Sequence, residues 1–470
     1  MAAVSSAATI AEKDSTRPLY HFRPPAQWMS DICGAFFHKG YHHAFYQFNP
    51  YGDRPGDGTG WGHARSRDCV HWEFLPPALL PSEETGDRAD ASGSAFIRSD
   101  GVPMLFFTHT PIDYPEHKRE AWAALPADDE CLKWNRVDIG LAAGRSGIPD
   151  SIHERWADMF VFRHGKRVFA TFKQSDGMVC EAQNRELTSW RAVGNLGGSD
   201  TDVTLATGTV GGECPNLFTL DARQVLIRST YPISYLIGSF NPDDITFEPD
   251  DVDPQVLDFG YGGESAPDHY TRGLYGTTVY VDDTGRTILL GWVSGFKANR
   301  GWNGCMSLPR VLTIDNNRLM QSPHPALEKL RGERTHFEGL KVPIGMSRMH
   351  GVRGKMLEII AELVPEGATR FGLIVRGSTD GERGLRITYS NGVLNVAGTD
   401  VPLDLSINES LKLHLFLDNC AMELFVQGGT PSVTRFDYSP EHHLDVFAFA
   451  EGGDMVVRTL DAWELGSIYS

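Results

Sequence analysis

The chain has 470 residues, which is more than one hydrophobic core usually holds, so two domains are expected. Its formal charge of −18 argues against a polyanionic partner, whether nucleic acid or an anionic membrane surface. Hydrophobic content of 41% without an apolar run of membrane-spanning length points away from a membrane span and toward a globular protein.

Residues 1–17 are rich in Ala and Ser and lack the apolar core of a signal peptide, so a flexible N-terminus is expected. The seven cysteines (Cys33, Cys69, Cys131, Cys180, Cys214, Cys305 and Cys420) are widely spaced, with no C-x-x-C pair. That pattern suggests neither a zinc knuckle nor a disulfide framework, and reduced thiols make a cytoplasmic location the expectation.

Strand signals dominate from there on. Tyr41–Phe48 is aromatic and ends at the turn dipeptide Asn49-Pro50. Met104–Thr108 follows a Gly-Val-Pro turn. Phe160–Phe162 and Val168–Ala170 flank His164-Gly165-Lys166 and read as a hairpin, and Val225–Ile227 and Thr287–Trp292 are further apolar runs. Ala326–Arg331 reads as one or two helical turns. Beyond it, Leu411, Leu413, Leu415 and Leu417 alternate, as do Met422, Leu424 and Val426 with Glu423 and Gln427 opposite. Half-buried antiparallel strands give that period. The fold class is all-β, with a second all-β domain from about residue 336 to the end; propeller, sandwich and barrel all fit the spacing.

Three acids stand where chemistry is plausible. Asp31 lies in Trp28-Met29-Ser30-Asp31-Ile32-Cys33-Gly34, Asp158 heads the apolar run Met159–Phe162, and Glu213 lies in Gly211-Gly212-Glu213-Cys214-Pro215. Singly, each reads as an ordinary turn, strand-capping or loop acid. Together they suit glycoside hydrolysis, which needs two carboxyl groups flanking an anomeric carbon and gains from a third that holds sugar hydroxyls. A partly buried Glu213 between glycines and a proline suits a general acid. Gly56–Gly62 lacks the Lys-Ser/Thr of a phosphate loop, Asp53 and Asp57 lack calcium-loop spacing, and the pairs His42-His43 and His442-His443 are poor chelators because strand neighbours face opposite ways. No metal ligand set is expected.

Read together, the motifs resemble glycoside hydrolase family 32, the invertase, inulinase and levanase family. The resemblance rests on His21-Phe22-Arg23-Pro24 with Trp28–Asp31, Phe45–Pro50, Trp61-Gly62-His63-Ala64, Ser92–Ala95, Glu213-Cys214-Pro215, Trp302 with Ser307–Arg310, and Leu417-Asp418 with Glu423–Val426. It implies a five-bladed β-propeller over residues 18–335 and a C-terminal β-sandwich over 336–470. It further implies Asp31 as nucleophile, Glu213 as general acid/base, Asp158 as transition-state stabiliser, and Trp28, Ser30, Gln47, Trp61, Ser92, Cys214, Asp268 and Trp302 as the lining of a sugar pocket. The implied activity is retaining hydrolysis of β-fructofuranosides such as sucrose or short fructooligosaccharides. A small-molecule sugar is the expected partner, a monomer or homodimer the expected state, and no cofactor is expected. Fructosyl transfer, a related furanoside, or non-hydrolytic glycan binding are the alternatives. Ser30, Ile32 and Cys33 depart from the W-M-N-D-P-N-G motif, and Ala157 and Met159 depart from R-D-P, with Arg155 positioned to substitute in part. An alignment placing Arg163-His164-Gly165 on R-D-P would leave no stabilising acid.

Overall fold

Short runs of β-branched and aromatic residues, broken by tight turns, set the architecture. Residue pairs Lys39-Gly40, Asn316-Asn317 and Asn391-Gly392 all take positive φ, the geometry of two-residue hairpin loops matched to strand twist. The computed structural model describes residues 2–142, 144–148, 157–173, 177–196, 212–260, 273–406 and 409–469. Among these, five antiparallel sheets follow one another between Gln27 and Pro323. Each begins with a strand that abuts the first strand of the next sheet: Gln27–His38, Asp87–Ile97, Phe160–His164, Glu213–Leu220 and Gly273–Val281, the last returning to the first. These five inner strands close a ring. Their far halves enclose a cavity of about 330 Å³ lined by Phe37, Phe96, Phe162, Phe218 and Tyr280 among others. Trp302-Asn303 pairs in parallel with Gln27-Trp28 and ties the last sheet to the first. This is a propeller.

Two six-stranded sheets follow, one running in spatial order from Arg331–Val342 to Ser432–Phe436 and the other from Gly345–Arg353 to Thr399–Pro402. The first of their strands starts at Arg331, ahead of the expected 336. Leu411, Leu413, Leu415 and Leu417 point between the sheets with Met422, Leu424 and Val426, forming the sandwich core. The opposite face is not left to solvent. Phe416 and Phe425 pack with Leu308 and Leu327, and Glu423 is fully buried against the propeller.

That seam is polar at its centre. Arg310 Nη2 donates to Glu423 Oε2 at 2.6 Å and Nη1 to Asp258 Oδ2 at 3.2 Å, while His21 lies 2.8 Å from Asp418 and 3.1 Å from Glu423. All five side chains are wholly buried, so each charge needs its partners. Four of these residues, His21, Arg310, Asp418 and Glu423, belong to the sequence motifs; they join the two halves and take no part in the acid cluster.

The N-terminus departs from expectation. An alanine-rich stretch forms the helix Ala2–Ala11, with Val4 and Ala11 buried against the first sheet. The expected turns near Ala326 are a 3₁₀ helix, Pro325–Leu330, opened by Pro325 and capped by His324, whose Nδ1 accepts from the Ala326 N–H.

Candidate active site

At one end of the ring the inner strands lose register. Breaks fall between Met29 and Ile32, between Ala91 and Gly93, between Glu213 and Asn216, and between Tyr275 and Thr278. A bulge frees a residue from the ladder and re-aims its side chain. The residues released are Ser30-Asp31, Ser92, Cys214-Pro215 and Gly276-Thr277. The remaining inner strand, Phe160–His164, starts just past Asp158, which is held at φ 57°, an uncommon conformation for a residue with a Cβ. Local irregularity at one level of five strands thus builds one site.

Asp31 is half-buried, and its Oδ2 accepts from Ser92 Oγ at 2.7 Å and from Cys214 Sγ at 3.6 Å. Burial, then the charge of Asp158, raises its pKa above the usual carboxylate value, while Ser92 and Cys214 pull it back. Asp158 receives the Cys214 N–H on Oδ2 at 3.1 Å, and its own N–H donates to the buried Thr108 Oγ1 at 3.1 Å. Cys214 Sγ lies 3.9 Å from the same Asp158 oxygen. The thiol, pushed up by burial and by Asp31 and Asp158, stays protonated and bridges the two acids as a weak donor. Glu213 pairs with Lys173 through Oε1 and accepts from Tyr275 Oη at 2.8 Å through Oε2. Tyr275 in turn stacks on Tyr231, centroids 4.9 Å apart and planes 10° apart.

The remaining predicted residues divide. Gln47 Nε2 donates to the Asp90 carbonyl at 2.8 Å and Trp61 Nε1 to the Ala91 carbonyl at 3.2 Å, so both hold the strand that carries Ser92. Trp28 lies edge-on to Trp292 at 6.2 Å, and Ser30 is buried beside Asp31. Two of the residues expected to line a sugar pocket are fully buried. Trp61 is 0% and Trp302 1% exposed, and Trp302 Nε1 donates to Asp14 at 2.9 Å, away from the acids. Each indole N–H has an acceptor within the protein, which lets the ring be buried without an unpaired donor. Asp268 and Arg155 lie outside the described residues. Lys173, Tyr275, Gly276, Thr108 and Tyr231 were not legible as site residues; the Tyr275-Gly276 dipeptide interrupting an apolar run was the available signal.

Beside the site, Asp87, Asp90 and His109 form a buried cluster of metal-ligating types. Arg136 fills it, with Nη1 2.6 Å from Asp87 and Nη2 2.5 Å from Asp90. The guanidinium takes a cation's place and stiffens the backbone leading into Ser92.

Two family models cover the chain: the glycosyl hydrolases family 32 N-terminal domain matches residues 21–323 and the family 32 C-terminal domain residues 326–464. A sucrose-6-phosphate hydrolase of Zymomonas mobilis is 26% identical over 95% of this chain and 92% of its own length. The levanase of Bacillus subtilis is also 26% identical, over 96% of this chain and 71% of its own. Among solved structures, fructan 1-exohydrolase IIa from Cichorium intybus superposes with a TM-score of 0.81 at 22% identity, covering 96% of this chain and 98% of that one. Sucrose-6-phosphate hydrolase from Lactobacillus gasseri gives 0.81 at 22%, covering 99% and 96%. With both models matched in order along nearly its whole length, the chain belongs to glycosyl hydrolase family 32.

Proposed function

We propose that this chain is a retaining β-fructofuranosidase acting on sucrose or short fructooligosaccharides. The observation that carries the reading is the convergence of Asp31, Asp158 and Glu213 at one end of the inner-strand ring, with Cys214 bridging the first two. We read the five sheets as five blades, with catalysis in the propeller and the sandwich bracing it through the Arg310 seam. The relatives' printed names support the substrate class. They are sucrose-6-phosphate hydrolases, a levanase and β-fructofuranosidases, and related structures hold 1-kestose and sucrose.

Asp31 attacks the anomeric carbon. Glu213, protonated, gives its proton to the leaving oxygen, and a fructosyl ester forms on Asp31. Glu213, now a carboxylate, removes a proton from water, which cleaves the ester and regenerates Asp31. Asp158, fixed by the Cys214 N–H, holds ring hydroxyls while positive charge develops on the sugar.

The test is product release from sucrose, 1-kestose, inulin and levan by wild type, Asp31→Ala and Glu213→Ala. Free fructose from wild type, with losses of several orders of magnitude in both variants, is the expected result. A wild type silent on every sugar, or variants as active as wild type, overturns the reading.

A further inference from the structure

We infer that Lys173 sets the ionisation of Glu213, an assignment that rests on the reading of Glu213 as acid/base. Lys173 sits at the end of the strand Arg167–Thr171, just past the buried Phe172. Its backbone N–H donates to the Ala157 carbonyl at 3.0 Å, which pins it beside Asp158. From there its ammonium reaches Glu213 Oε1. Ala157 stands where the family resemblance calls for an Arg, and Lys173 brings a cation to that side of the site.

The Glu213 carboxyl therefore meets a donor on each oxygen, Lys173 on Oε1 and the Tyr275 hydroxyl on Oε2. Donors aimed at both oxygens favour the acceptor-only, ionised form. Tyr275 is held protonated by its burial and by Tyr231 stacked on it, so it donates throughout. Among the described residues, the other charged or titratable groups around the acid are Cys214 next in sequence, Asp31 and Asp158 across the site, and Arg228, buried behind Gly212. The two aspartates work against a third negative charge; Lys173 opposes them and acts on Asp31 as well.

The two steps of the reaction ask opposite things of Glu213. The first requires its proton, and the second its charge. In the unliganded site the pair with Lys173 favours the charge. An arriving leaving-group oxygen takes the ammonium's place opposite Oε1 and lets the carboxyl hold its proton. Departure of that group lets Lys173 return, which keeps Glu213 a base for water. Lys173 is on this account a positioning residue that acts through Glu213.

The experiment is the pH profile of kcat/KM for fructose release by wild type, Lys173→Met and Lys173→Arg, with the ¹³C carboxyl resonance of Glu213 titrated in parallel and assigned by its loss in Glu213→Gln. Lys173 and Glu213 are each about two-fifths exposed, so the effect of the pair is screened by water. The alkaline limb, which reports loss of the Glu213 proton in the free enzyme, moves up by about one pH unit in Lys173→Met and returns in Lys173→Arg. The resonance moves by the same amount. A lower rate at every pH with an unmoved limb and an unmoved resonance overturns the inference. A wild type silent on every sugar whose Glu213 resonance still shifts in Lys173→Met leaves the charge assignment standing while the fructosidase reading falls.

Discussion

Ser92 Oγ donates to Asp31 Oδ2 at 2.7 Å, joining two neighbouring inner strands across the mouth of the propeller. Both residues lie at breaks in their ladders, so the bond depends on two bulges at the same level. It also opposes burial and Asp158, which together raise the Asp31 pKa. Ser92→Ala removes that opposition, so Asp31 holds its proton to higher pH. In its proposed role as nucleophile Asp31 must be ionised, and the acidic limb of kcat/KM therefore moves upward. A hydrogen bond to a charged group contributes about 1.5–3 kcal/mol, so activity on the acid side falls roughly 10- to 100-fold. A pH profile with its acidic limb unmoved contradicts the role given to Ser92.

Gly276 is the second constraint on Asp31. A Cβ built there lies 2.3 Å from Asp31 Oδ1 and 2.7 Å from its Cα, and the residue sits at φ +48°. Part of that clash is with backbone, which has no rotamer to escape into. Gly276→Ala is expected to lower kcat by about 100-fold through displacement of Asp31, the proposed nucleophile. The left-handed backbone adds about 1–2 kcal/mol of destabilisation. Product assays beside a melting curve separate the two effects. A near-normal kcat would mean that Asp31 tolerates the shift.

What could be read from the sequence follows from what sequence carries. Period-two alternation at Leu411–Leu417 and the turn residues identified strands, because burial and hairpin geometry select residues locally. Asp31, Asp158 and Glu213 were recognisable through their motifs. The contributions of Trp61 and Trp302 were not, since an indole that supports a site and one that lines it look alike in a motif. Only the partners, the Ala91 carbonyl and Asp14, tell them apart. Lys173 was equally hidden, because its meeting with Glu213 depends on how two sheets are placed around the axis. The N-terminal helix escaped notice because Val4 and Ala11 are apolar contacts too few to produce a periodic signal.

Asp14 lies ahead of residue 21, where the match to family 32 begins. Its carboxylate accepts from Trp302 Nε1 at 2.9 Å and from Arg300 Nη1 at 3.1 Å, and Trp302-Asn303 pairs with Gln27-Trp28 just ahead of Asp31. Asp14→Ala leaves the buried indole N–H without its acceptor, a loss of about 1–3 kcal/mol. Urea unfolding is expected to show that loss, and kcat/KM to fall severalfold as the edge of the first inner strand loosens. Unchanged stability would show the Asp14 contacts to be incidental.

The His21 seam makes stability depend on pH. Burial opposes charge on its imidazole, but hydrogen bonds with Asp418 and Glu423 outweigh it and raise its pKa to about 9. In the unfolded chain a histidine titrates near pH 6.5. Between about pH 6.5 and 9 the folded protein therefore holds a proton that the unfolded chain has lost. The stabilisation is complete below 6.5 and disappears as pH rises through 9. Its full size is on the order of 3 kcal/mol. The melting temperature should fall steadily across that window. His21→Gln should lower it at every pH, because Asp418 and Glu423 stay buried with one partner fewer, and should flatten the slope. A slope that survives in His21→Gln would assign the alkaline sensitivity to another group and remove His21 from the account of how the sandwich is held to the propeller.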